Sequence, residues 1–139
     1  MIGRLLTLCT VMILTVPAGV FAQQCLHGQD ETPDQRTRRS QALGAARHVN
    51  TLQANRPNRA GVYLDLAELG SLDAAQSAKR PSARSYNFHP DAEIIAGWQL
   101  TLARTDSGYW FMIKDKTDPC GFAYVSNEAG VIYRAEPIR

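Results

Sequence analysis

The chain has 139 residues, 45% of them apolar and 20% charged, with a formal net charge of +2. That composition describes one ordinary globular domain with no low-complexity tract. The charge is too small for a general affinity for nucleic acid or anionic lipid.

Arg4 followed by the apolar run Leu5 to Phe21, ending in Val20-Phe21-Ala22, has the layout of a secretory signal peptide. A positive residue, an apolar stretch and slim residues before the cut predict cleavage after Ala22. The division is then 1–22 as signal peptide and 23–139 as one domain, periplasmic or secreted. The run also approaches the length of a membrane span, so retention as an anchor is the competing expectation, and contact with a membrane follows only in that case. Cys25 lacks the apolar-then-small residues expected just before a lipidated cysteine.

Removal of the leader discards Cys9 and leaves Cys25 and Cys120. Two thiols in an oxidising compartment are expected to pair. The rival use, Cys120 as a nucleophile with His48 or His89 as base, is disfavoured by the even cysteine count.

Thr32-Pro33-Asp34-Gln35 reads as a helix start, with Thr32 as N-cap, Pro33 in the first helical position and Gln35 completing a capping box. Asn55-Arg56-Pro57 is the stop. Between them Ala42, Leu43, Ala46, Val49 and Leu52 form a narrow apolar stripe along a helix of about 22 residues. Arg36, Arg38, Arg39 and Arg47 occupy the other face, which would suit an acidic partner or a phosphate but is more simply read as solvated surface. With no aromatic residues interleaved, that face is not a platform for single-stranded nucleic acid.

Val62 to Leu69 fits a short strand or a helical turn closed by Gly70, of which the turn is the favoured reading. Residues 71–90, polar and interrupted by Pro81 and Pro90, read as a long surface loop with Tyr86 and Phe88 packing back onto the domain. Trp98 to Arg104 alternates with period two and enters a turn at Thr105-Asp106-Ser107-Gly108. Tyr109 to Lys114 is apolar on both faces, as for a strand covered on both sides. Phe122 to Val125 and Val131 to Arg134 form a second hairpin, with Gly130 suited to a left-handed position. The expected fold is α+β, a long helix packed on a three- or four-stranded antiparallel meander.

This order over residues 31–135 resembles the globular part of type IV pilins and type II secretion pseudopilins. The features shared are the helix, the Tyr/Leu-rich segment Tyr63 to Leu69, the irregular loop, and hairpins such as Gly108-Tyr109 and Gly130-Val131-Ile132-Tyr133. No processing motif of the Gly-Phe-Thr-Leu-Ile-Glu type occurs. The resemblance implies action through protein contacts. Because pseudopilin-like domains can hold calcium in a C-terminal loop, it also brings Asp115, Asp118, Asn127 and Glu128 forward as oxygen ligands. Their spacing matches no calcium-loop signature, and Asp118-Pro119 more simply sets up a turn presenting Cys120.

His27, His48 and His89 are far apart and lie in no zinc-binding pattern, and no nucleophile elbow or phosphate loop occurs. The reading is therefore a non-catalytic module, without catalytic, metal or cofactor-binding residues, that binds another envelope or secreted protein and no nucleic acid. A pilin-like accessory subunit is one form of it. The alternative is a small secreted hydrolase or an inhibitor of a lytic enzyme, working through residues 71–90.

Overall fold

A computed structural model describes residues 25–28, 30–57, 62–80 and 84–136. The leader, residues 1–22, lies outside them. Helix α1 spans Pro33–Ala54 and starts as its sequence dictates. The Thr32 hydroxyl accepts from the Gln35 N–H at 3.2 Å, and the Gln35 side chain accepts from the Thr32 N–H at 2.8 Å. These bonds satisfy amides that a helix start leaves without intrahelical partners. Ala42, Ala45, Ala46, Val49 and Leu52 are buried in one stripe; Leu43 sits at its margin.

Helix α2 spans Leu66–Ser77, which corrects the expectation of a single turn ending at Gly70 followed by a loop over 71–90. Asp65 and Glu68 close a second capping box, with bonds of 2.9 and 2.8 Å. Gly70 does not terminate the helix. It lies mid-helix as a point of close approach, since a Cβ there would stand 3.3 Å from Phe88 Cβ. Of the expected loop, residues 84–88 are irregular, with Phe88 buried and Tyr86 half-buried against His48 at a ring distance of 4.8 Å.

The sheet has five antiparallel strands in sequential order: β1 (Glu93–Ile95), β2 (Trp98–Arg104), β3 (Tyr109–Asp115), β4 (Ala123–Asn127) and β5 (Ile132–Ala135). The fold is thus α+β with two helices and a five-stranded meander. β1 is the strand missing from the sequence reading. Three residues joined to β2 through Ala96-Gly97 are too few for a period-two pattern to show. In register, Trp98 faces Asp115, Leu100 faces Ile113 and Leu102 faces Phe111.

Trp98, Phe111, Ile113, Phe122 and Tyr124 fill the side of the sheet against the helices. The other side is open, contrary to the expectation that β3 is covered on both faces. Burial alternates along β3, with Trp110 and Lys114 exposed and Met112 half-buried. Among the described residues no second layer covers that face, and an antiparallel sheet tolerates water on one side.

Candidate functional site

Cys25 and Cys120 are joined in a disulfide with Cα atoms 5.2 Å apart, within the usual span for a bridge. Asp118 shapes the turn that presents Cys120. Its Oδ1 accepts from the Cys120 and Leu26 N–H groups at 3.0 and 3.1 Å, and its Oδ2 from the Phe122 N–H at 3.2 Å. The turn therefore holds both the cysteine and the segment it captures.

The captured segment carries His27, buried between the rings of Trp98 and Phe122. Its Nδ1 lies 2.9 Å from Glu31 Oε1 and its Nε2 2.8 Å from Asp115 Oδ2. Arg39 grips Glu31 with Nε and Nη2, at 2.7 and 2.9 Å. Burial alone would raise both carboxyls. At Glu31 the hydrogen bonds from Arg39 and His27 outweigh it, and at Asp115 those from His27 and Thr117 with the Arg38 charge do so; both are held below the ordinary carboxylate range. The cluster clasps the segment that precedes α1 to the end of β3.

Arg38 and Arg39 are thus not free surface. Arg38 Nη2 reaches Thr117 Oγ1 at 3.2 Å and Asp115 Oδ1 at 3.5 Å. The carboxylates that engage these arginines come from outside the helix, so helical periodicity does not reveal them. Arg36 and Arg47 are exposed, as expected of that face.

The four oxygen ligands weighed for calcium fall at opposite ends of β4. Asp115 and Asp118 flank its start, while Asn127 is its last residue and Glu128 follows, roughly 14 Å further on at the rise of an extended strand. Asp115 and Asp118 are occupied in the clasp, and Asn127 Oδ1 accepts from the Ala129 N–H at 3.1 Å. Among the described residues no group of three or more His, Cys, Asp or Glu side chains is placed to hold a metal ion.

The three histidines have separate surroundings. His48 Nε2 is 2.6 Å from Asp73 Oδ1, a buried carboxylate on α2, so this pair ties the two helices together. His89 is exposed beside the Pro90 carbonyl. Cys120, taken up in the disulfide, is not available as a nucleophile beside either of them.

The open sheet face carries an apolar strip. The register sets Thr101, Met112, Val125 and Tyr133 in one row across β2 to β5, with Ala103 and Trp110 paired in the adjoining row. Trp110 is 47% exposed, Tyr133 58%, and Val131, just before β5, 49%. Across β2 to β5, Lys114 is the charged residue on that face, with Gln99, Thr101 and Asn127 its polar members. The alternation of β2 signalled an amphipathic strand, but the near-continuous apolar run of β3 concealed which of its side chains lack cover.

No protein-family model, curated protein or solved structure matches the chain. Among the described residues no helix is long and apolar enough to cross a membrane.

Proposed function

We propose that the chain is an exported, non-catalytic protein-interaction module and that the open face of its sheet is the contact surface. The observation that carries this reading is a contiguous apolar strip in which Trp110 and Tyr133 are exposed and Met112 and Val125, between them, are half-buried. Contiguous apolar surface of this kind marks interaction sites, and aromatic residues dominate the binding energy of protein interfaces. The partner is another envelope or secreted protein, presenting an apolar patch with an acidic rim to meet Lys114. The disulfide supports export, since such bridges persist in oxidising compartments. The helix followed by a meander favours a pilin-like accessory subunit as the form of the module.

The test places a photo-crosslinking amino acid at position 110 in the native exporting cell, followed by binding of the purified partner to Trp110→Ala/Tyr133→Ala. One reproducible envelope partner whose binding falls at least tenfold in the double variant is the expected result. The reading fails if position 110 captures nothing, or if the double variant binds as tightly as the parent. Both side chains are exposed, so the variant keeps its fold.

A further inference from the structure

Helix α1 carries Arg36, Arg38 and Arg39 in its first two turns, where the positive end of the helix dipole disfavours cations. Two of the three are compensated, Arg39 by Glu31 and Arg38 by Asp115. Arg36 is not. Its Nη2 donates to the Glu31 backbone carbonyl at 3.4 Å, and among the described residues no carboxylate stands within ion-pair distance of it.

Across from Arg36 stands a second cation in the same condition. The irregular segment 84–88 is pinned by Tyr86 against His48 and by Phe88 in the core, and this brings Arg84 to α1. Arg36, Thr37, Ser40, Gln41 and Arg84 line a solvent-open recess of about 470 Å³. Thr37 Oγ1 donates its proton to the Pro33 carbonyl at 2.9 Å, which leaves the two guanidiniums, the Ser40 hydroxyl and the Gln41 amide as donors. Among the described residues no carboxylate and no large apolar side chain lines the recess, so its chemistry suits neither a cation nor an apolar ligand. Its two guanidiniums give the recess a positive character that a negatively charged group complements.

We propose that this recess binds an oxyanion gripped by Arg36 and Arg84 from two elements. Guanidinium groups match phosphate and carboxylate oxygens with paired, charge-assisted hydrogen bonds. The recess exceeds the size of a bare phosphate and falls within the range of small-ligand sites, roughly 300–1,000 Å³. The oxyanion is therefore one group of a polar molecule of about sugar size, the rest meeting Ser40 and Gln41. The site is separate from the open sheet face, and the two proposals stand or fall independently.

Calorimetric titration of the disulfide-bonded protein with glucose 6-phosphate, glucuronate and inorganic phosphate tests it. At least one of the three binds, with affinity falling as salt is raised and dropping about tenfold or more in Arg36→Gln/Arg84→Gln. Tighter binding of glucose 6-phosphate or glucuronate than of phosphate shows that the carrier is read as well. Equal affinity for all three keeps the oxyanion site and overturns the sugar-sized ligand. Arg47→Gln, on the same helix outside the recess, leaves the affinity unchanged. The proposal is overturned if none of the three binds, or if the double variant, shown folded by circular dichroism, binds as the parent does.

Discussion

His27 Nε2 stands 2.8 Å from Asp115 Oδ2, joining residues 88 apart in sequence inside the core. Asp115 accepts in addition from the Thr117 N–H and hydroxyl at 2.8 and 2.7 Å. Asp115→Ala leaves a buried imidazole facing a void and should cost about 3 kcal/mol in urea unfolding. The pH dependence has a definite sign. Glu31 and Asp115 titrate in the fold below their ordinary values of 4.5 and 3.8. Their contribution is therefore present above that range and is lost as the pH falls through the lowered folded values. Urea midpoints measured from pH 7 to 2 should decline below about pH 4.5 in the parent, and decline less in Asp115→Asn.

Reduction of the Cys25–Cys120 bridge should add two hydrogens to the intact mass and lower stability. For a closed loop spanning a separation of 95 residues, chain entropy alone gives on the order of 4 to 5 kcal/mol. Thermal melts with and without reductant, repeated on Cys25→Ser/Cys120→Ser, measure it. An unchanged melt would mean that the Asp118 and His27 contacts hold the captured segment by themselves.

Asn50 links α1 to two strands of the sheet and to the turn between β4 and β5. Its Nδ2 donates to the Gly130 carbonyl and the Ser126 hydroxyl, each at 3.0 Å, and its Oδ1 accepts from the Tyr109 hydroxyl at 2.8 Å. Burial, followed by the charges of Tyr63 and Glu128, pushes the Tyr109 hydroxyl up to about 12. Asn50→Leu strands that hydroxyl and should cost about 1–3 kcal/mol. Adding Tyr109→Phe removes the orphaned group, so the double variant should recover part of the loss in equilibrium unfolding.

Gly97 and Gly130 both hold positive φ, +82° and +72°. A Cβ on Gly97 would stand 2.5 Å from Arg38 Nη2, whereas one on Gly130 meets nothing within 4 Å. Gly130→Ala should therefore show the conformational cost alone, about 1–2 kcal/mol. Gly97→Ala should cost more, because it also displaces Arg38 from Asp115 and Thr117. Equal urea midpoints for the two variants would show that the Arg38 contact contributes nothing.

Much of the architecture was legible because it rests on local chemistry. The cap at Thr32, the stop at Asn55, the hairpins around Gly108 and Gly130 and the turn at Asp118-Pro119 are each encoded within a few residues. The length of α2 was lost because Gly70 reads as a stop signal, although the Asp65-x-x-Glu68 box announced the helix. Gly70 is there to admit Phe88, a contact across 18 positions that no local window contains.

The sequence by itself determined the fold class, the start and end of α1 and the availability of two cysteines for a bridge, since caps, turn residues and cysteine count act at short range or by arithmetic. Only the tertiary structure decided that Arg38 and Arg39 are compensated while Arg36 is not, that His27 lies between two carboxylates, and that the Trp110 face of β3 is bare. Each of these depends on which distant side chain or layer arrives opposite a residue, and strand alternation or helical period fixes only the face on which that residue waits.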